Sequence, residues 1–273
     1  MVKPRDKIIV GLSGGKDSIS LLYNLMKVQE KTYQTEPLIA LTIDEGIHNY
    51  KGNNIKCAGN FCKRYGIEHR IVSFKEKVGM TLDEIISLKK QTDDYKYACN
   101  YCALIRRRLL NEEAKKLGGN VLALGHNLTD MAETFLMNVL YKRTQLIANQ
   151  YLFKKENSEI AKVFVKKITP LMRIPEEEIY QYANLKKFEY FSLHCPYRDQ
   201  DPIIRKRILD FIQECKIYSP EIEFNLFNGF LELSEILYDR FENKPFSACQ
   251  KCGYPSGTEN MCSYCEFVQA LDK

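Results

Sequence analysis

The 273-residue chain has little net charge: 40 basic residues stand against 35 acidic ones, a balance of +5. Bulk charge alone therefore assigns no polyanionic partner, and the placement of the charges matters more than their sum. Long apolar runs are missing as well. None approaches the ~18 residues needed to span a bilayer, so no membrane partner is expected. The opening, Met1-Val2-Lys3-Pro4-Arg5-Asp6, has no export leader and runs straight into a strand. The expectation is a reducing, cytoplasmic setting. There, ten cysteines point to metal or redox chemistry rather than to a disulfide framework. Disorder is excluded by 45% hydrophobic and 11% aromatic residues, enough for a real core.

What is present is organised around Gly11-Leu12-Ser13-Gly14-Gly15-Lys16-Asp17-Ser18. The apolar run Ile8-Ile9-Val10 precedes it and an apolar-periodic segment, Ser18–Lys31, follows. This reads as strand, glycine turn, helix. Adjacent glycines let backbone approach a ligand, and a new helix aims its unpaired N–H groups and positive dipole end there, which suits phosphate. A Walker A loop is excluded: Asp17 follows Gly15-Lys16 where Ser or Thr is required, and no glycine sits five residues before Gly15. The stretch Ser13–Ser18 instead resembles the S-G-G-x-D-S loop of the PP-loop ATP pyrophosphatases. That resemblance implies cleavage of ATP between its α and β phosphates and adenylation of a substrate.

Further strands are predicted at Pro37–Ile43, Arg70–Phe74 and Asn120–Gly125, with a fifth at Phe164–Ile168. Helical patterns lie between them at Tyr50–Tyr65, Thr81–Gln91, Ala103–Leu117 and Met131–Tyr141. The fold class is α/β: a doubly wound parallel sheet with helices on both faces, its ligands at the carboxyl ends of the strands. At those ends, the backbone of Thr42-Ile43 suits an adenine edge, and Asp44 or Glu45 suits ribose or Mg²⁺. The turn Gly125-His126-Asn127-Leu128-Thr129-Asp130 offers Asp130 as a Mg²⁺ ligand or base. For His126 and Asn127, helix capping is the competing reading. Lys142–Glu159, with Tyr151 and Phe153 among its charges, reads as a loop or flap. Helices are expected at Glu176–Lys187, Pro202–Lys216 and Glu221–Phe241. Basic clusters, among them Arg106-Arg107-Arg108, Lys142-Arg143, Lys154-Lys155, Lys166-Lys167 and Arg205-Lys206-Arg207, suit either RNA or solvated helix faces.

The cysteines fall into two sets. Cys99-Asn100-Tyr101-Cys102 is placed just before the helix Ala103–Leu117, where the dipole should lower thiol pKa values. Cys195 belongs to a connection that can face the same sheet edge. Three cysteines leave a tetrahedral set open, as a reactive centre needs; His194 as fourth ligand would close it into an inert zinc site. Arg106, one helical turn beyond Cys102, can point into the same cavity. The tail carries Cys249-x-x-Cys252, nine residues, then Cys262-x-x-Cys265, a strong Zn²⁺ signal in a segment with little core of its own. Three parts are expected: 1–200 catalytic, 201–246 a helical extension, 247–273 a zinc module.

Taken in order, Ser13–Ser18, Asp44-Glu45-Gly46, Cys99-x-x-Cys102, Gly125-His126-Asn127-x-x-Asp130, Cys195 and the four-cysteine tail resemble the TtcA/TtuA family of tRNA 2-thiolation enzymes. The likeness covers nearly the whole chain and is nearest to the archaeal and eukaryotic branch that thiolates uridine. It implies ATP at Gly11, Ser13, Gly14, Gly15, Lys16, Asp17, Ser18, Thr42, Ile43, Asp44, Gly125, His126, Asn127 and Asp130, with Mg²⁺. It implies catalytic roles for Asp17, Asp130 and Arg106, and a 4Fe-4S cluster on Cys99, Cys102 and Cys195 whose free iron carries the sulfur that displaces AMP. It also implies tRNA as partner, sulfur from a ubiquitin-like thiocarboxylate carrier or free sulfide, and a homodimer. Three features depart from the family. No paired-cysteine module stands before the first strand, Thr129 replaces a second aspartate, and Arg106 stands where some members have lysine. Two other readings stay open: a cluster-free persulfide thiolase, and a zinc-stabilised tRNA-binding subunit without catalysis. The wobble uridine is favoured over the T-loop uridine.

Overall fold

The structure, a computed structural model, describes residues 2–31, 36–92, 95–152, 162–200, 204–241, 247–256 and 260–271. The Lys154-Lys155 cluster, Phe153 and the start of the helix expected from Pro202 lie outside the described residues.

Five strands, β1 (Ile8–Gly11), β2 (Ile39–Asp44), β3 (Glu68–Ser73), β4 (Val121–Ala123) and β5 (Lys166–Ile168), form one sheet in the order β3-β2-β1-β4-β5. Every pairing is parallel. Helices α1 (Lys16–Gln29), α2 (Lys51–Tyr65), α3 (Phe74–Val78), α4 (Leu82–Lys89), α5 (Ala98–Lys116) and α6 (Leu128–Leu140) follow the strands. The alternation of side chains along each strand sorts the core into two layers. Ile9, Ile39, Leu41 and Ile43 pack with Ile85 of α4 and with Ile105 and Leu109 of α5. Val10, Leu38 and Ala40 pack on the other face with Ile19 and Leu22 of α1, Phe61 of α2 and Ile179. Burial on both faces explains why β2 reads as a nearly continuous apolar run. Ile9, Leu41 and Ile105 are essentially unexposed, each contributing roughly 1.5–3 kcal/mol. The doubly wound expectation holds, and the reversal of strand order between β1 and β4 opens the ligand crevice there.

Two expectations about elements change. Helix α5 begins at Ala98, so Cys99 and Cys102 lie inside its first turns rather than before it. Burial of Ala98 and Tyr101 against the core extends the helix backwards. Within the segment read as a loop, Thr144–Ala148 forms a short helix, α7. It does so because Ile147 joins Leu128, Phe135, Phe227 and Phe230 in an apolar cluster.

The later helices, Glu176–Leu185, Ile204–Tyr218 and Ile222–Phe241, complete the main body. The last two pack on α6, with Ile208 and Ile212 against Ala132 and with Phe227 and Phe230 against Phe135. A buried carboxylate, Glu223, sits in that contact and is only 1% exposed. It accepts from the Thr129 hydroxyl at 2.7 Å and from Lys216 Nζ at 3.1 Å. A buried charge stripped of its partner is costly. Lys216→Met is therefore expected to lower stability by about 3 kcal/mol, read as a lower urea midpoint at unchanged slope.

The tail pairs two short antiparallel strands, Ser247–Ala248 and Pro255–Ser256, and ends in the helix Ser263–Leu271. Among the described residues, no helix is long and apolar enough to cross a membrane.

Candidate active site

The glycine turn closes on itself at the end of β1. Ser18 Oγ accepts from the Ser13 N–H at 3.1 Å and donates to the Gly15 carbonyl at 3.0 Å. The Gly14 carbonyl accepts from the Phe191 N–H at 3.0 Å. Gly14 adopts φ +86°, and a Cβ there would stand 2.2 Å from the Asn54 carbonyl oxygen. Both the left-handed backbone and the close approach require glycine. Gly14→Ala is expected to lower stability by about 2 kcal/mol or more and to show none of the upward shift in melting temperature that ATP is expected to give the parent protein.

Gly15 caps α1, which carries Lys16 and Asp17 in its first turn. Lys16 Nζ lies 3.0 Å from Asp17 Oδ2 and 2.5 Å from Glu176 Oε1. Burial by itself would lower the lysine pKa, but Asp17 and then Glu176 outweigh it and raise it. Burial lifts the Asp17 carboxyl above its ordinary range, against Lys16 and the Asn127 amide, which hold it down. Asn127 Nδ2 donates to Asp17 Oδ1 at 3.1 Å. The ends of β1 and β4 are thus tied across the crevice. Gly125 makes the same approach: a Cβ there would meet the Ser18 nitrogen at 3.1 Å.

Asn127 also caps α6. Its side chain accepts from the Asp130 N–H at 2.9 Å, and Asp130 Oδ2 accepts from the Asn127 N–H at 3.3 Å. The capping reading of Asn127 is therefore correct, and its contact with Asp17 adds a second role. Asp130 has a further partner, Arg205 Nη2 at 2.9 Å, while Arg205 Nε reaches Glu133 Oε2 at 2.5 Å. Burial lowers the His126 pKa, which Asp130 opposes. At β2 the Thr42 side chain is unavailable to a ligand: fully buried, it donates to the Leu12 carbonyl at 2.6 Å and lies 2.8 Å from His69 Nε2. The Ile43 side chain is core, and Asp44 Oδ1 accepts from the Gly46 N–H at 2.9 Å.

Cys102 and Cys195 pack against the same core layer, and Cys99 raises the pKa of both. The expected dipole-lowered thiol is not found at Cys102. Burial pushes it up to about 12, against Arg106, and Glu45 and the other two cysteines add to the rise. Cys102 is one turn inside the helix, beyond the N–H groups that the dipole argument invoked. Arg106 Nη1 stands 3.7 Å from Glu45 Oε1. Cys195 precedes the short helix Pro196–Gln200. Its loop is pinned by Asp83, which accepts from the Tyr197 hydroxyl at 2.7 Å and from the His48 N–H at 2.8 Å. His194 Nδ1 turns instead to Arg198 Nη1, 3.1 Å away.

The two cysteine sets differ in their spacing. Cys249, Cys252, Cys262 and Cys265 have all their sulfurs within 4.8 Å of one another. Cys252 and Cys262 are 3.7 Å apart, close to the ~3.8 Å edge of a tetrahedron with zinc–sulfur bonds of ~2.3 Å. Among the described residues no other such group exists, so neither the three cysteines alone nor with His194 forms a single-ion cage. Glu176, Arg205 and Tyr50 were not singled out from sequence. Tyr50 packs edge-on against Phe191 at 5.5 Å. The only sequence sign was Arg205 in its basic triplet, since Glu176 reaches Lys16 across 160 positions of chain.

Residues 2–208 match the family model of a PP-loop domain. The chain is 34% identical over 278 residues to a probable sulfurtransferase of Methanocaldococcus jannaschii, covering 99% of this chain and 76% of the relative. It is 30% identical over 263 residues to the tRNA-5-methyluridine(54) 2-sulfurtransferase of Pyrococcus horikoshii, covering 96% and 78%. The solved structure of the U34-tRNA thiolase NcsA from Methanococcus maripaludis, with its 4Fe-4S cluster, superposes with a TM-score of 0.79 at 32% identity, covering 97% of this chain and 81% of that one. The loop, the strand order and these likenesses agree: the chain belongs to the PP-loop family, within its group of tRNA 2-thiolation proteins.

Proposed function

We propose that this protein makes 2-thiouridine in tRNA, adenylating the uridine O2 with ATP and replacing it by sulfur. The observation that supports the reading is that the segment leading to Cys195 is hydrogen-bonded to the glycine turn, Phe191 N–H to the Gly14 carbonyl, while Cys102 and Cys195 pack against the same core layer. ATP phosphates lie against the Gly14-Gly15 turn and the open N–H groups of α1. Lys16 exchanges Glu176 for phosphate oxygens, and Asp17 with Asp130 holds Mg²⁺. The uridine O2 attacks the α-phosphorus, the bond to pyrophosphate breaks, and pyrophosphate leaves. O2 is now part of a good leaving group, so sulfide can add at C2 and AMP departs carrying that oxygen. A 4Fe-4S cluster on Cys99, Cys102 and Cys195 supplies the sulfur when bound. Arg106, permanently charged, offsets negative charge building near the cysteines rather than transferring a proton.

The four tail cysteines hold Zn²⁺, and the expected parts are 1–200, 201–246 and 247–273. The sulfur arrives as free sulfide or from a ubiquitin-like thiocarboxylate carrier, and the protein works in the cytoplasm as a homodimer. The wobble uridine is the favoured target, supported by the U34 thiolase's TM-score of 0.79. The test is anaerobic reconstitution with iron and sulfide, then incubation with tRNA and ATP and mass mapping of the thiolated nucleoside. We expect 2-thiouridine at the wobble position. No iron uptake by the parent protein rejects the cluster, and thiolation confined to the T-loop rejects the target.

A further inference from the structure

The two cysteine sets are far apart in sequence, yet a short chain of contacts joins them. Helix α5 carries one set in its first turns and docks the tail along its side. Between Cys99 and Cys102 stands Tyr101, only 5% exposed. Its hydroxyl accepts from the Lys96 N–H at 2.8 Å, fixing the approach to the helix. Its ring lies 5.2 Å from that of Phe267, tilted by 31°. Phe267 comes from the tail helix Ser263–Leu271 and is 8% exposed. That helix starts on the tail cluster: Cys262 precedes it, its carbonyl accepting from the Glu266 N–H at 3.0 Å, and Cys265 lies in its first turn. Further along α5, the Arg108 guanidinium sits 3.4 Å from the Tyr254 ring and 5.2 Å from the Tyr264 ring, both from the tail. The Asn111 amide donates to the Tyr254 hydroxyl.

We propose that the four-cysteine tail positions the Cys99–Cys102 turn, with Phe267 and Tyr101 as the positioning residues. The role of that turn as a sulfur-site ligand rests on the proposed function; the coupling itself does not. Side chains on a helix rotate by about 100° per residue. A pinned Tyr101 ring therefore fixes the directions of both neighbouring thiols at once. The N-terminal turn of a helix is where fraying is cheapest, because its first N–H groups lack intrahelical partners. Tyr101 joins that turn to the core, and Phe267 covers one side of its ring. The tail metal fixes the start of the helix that delivers Phe267, so metal release in the tail is felt at Cys99 and Cys102.

The test uses the full chain in its cluster-free form. Alkylation rates of Cys99, Cys102 and the control Cys57 are followed by peptide mass spectrometry, alongside zinc content. Phe267→Ala is expected to keep its zinc while Cys102 reacts roughly tenfold faster and Cys57 at the parent rate. Phe267→Leu, which refills the space, restores the slow rate. Tyr101→Phe keeps the ring but releases the Lys96 N–H, and speeds Cys99 about threefold. Removing zinc from the parent reproduces Phe267→Ala. After anaerobic reconstitution, Phe267→Ala loses its visible iron–sulfur absorption faster than the parent. Rates at Cys99 and Cys102 within twofold of the parent's in Phe267→Ala, or an equal rise at Cys57, overturn the proposal. Should Phe267→Ala fail to fold, unchanged thiol rates in Tyr101→Phe overturn it. A parent protein that takes up no iron defeats the proposed function and leaves the alkylation comparison intact.

Discussion

Replacing Cys195 with alanine is expected to leave a folded protein that consumes ATP in the presence of tRNA but transfers no sulfur. Its contribution to stability is small. It is partly buried beside the core, and its loop stays held by the Tyr197–Asp83 hydrogen bond. Losing one sulfur there costs about 1 kcal/mol. Its contribution to chemistry is large, because two thiols on α5 cannot retain a cluster against solvent once the third, from the opposite loop, is gone. Iron retained after reconstitution should fall to the background of a mutant lacking all three, and thiolation should fall by about 10³ or more. Pyrophosphate release should persist, since the Gly14–Ser18 turn and Asp17 are untouched. The measurement is iron content and nucleoside analysis on one preparation. Full thiolation by Cys195→Ala would contradict the ligand assignment. In the parent protein, a persulfide on Cys195 with no bound iron would favour the cluster-free thiolase.

Asp17→Asn separates the first half-reaction from the second. The substitution keeps volume and the contact with the Asn127 amide, but removes the charge that faces Lys16 and the phosphate site. Burial already disfavours that charge, and its retention makes sense only where a cation is to be held. Pyrophosphate release is expected to fall by about 10²–10³, with thiolation falling in parallel. Iron uptake at Cys99, Cys102 and Cys195 stays at the parent level. A cluster-loaded Asp17→Asn protein that adenylates tRNA at the parent rate would remove Asp17 from the reaction, and parent-level release from a protein without tRNA would point to simple ATP hydrolysis.

The parts of the fold that sequence patterns revealed are those governed by local physics. β2 is buried on both faces, so the apolar run within Pro37–Ile43 reads as a buried parallel strand, observed at Ile39–Asp44. Ser13–Ser18 has the glycine placement that a phosphate turn demands. The tail needs only spacing to be read as a metal knuckle. What stayed hidden depends on partners distant in the chain. Helix α5 starts earlier than its own periodicity suggests because Ala98 and Tyr101 find core against distant elements, Phe267 among them. Arg205 reaches Asp130, and Glu223 accepts from the Thr129 hydroxyl; both come from helices more than seventy residues away. The thiol pKa failed for a related reason. The dipole is a local feature that sequence reports, whereas the burial that dominates at Cys102 is set by the packed body.

The central claim is that the oxygen activated by ATP is the oxygen that sulfur replaces. It is tested by following that atom. A tRNA carrying ¹⁸O at O2 of the target uridine is incubated with ATP, sulfide and the anaerobically reconstituted protein, and the AMP is analysed by mass spectrometry. The account predicts one labelled oxygen in AMP for each uridine thiolated. Thiolation accompanied by unlabelled AMP would contradict it.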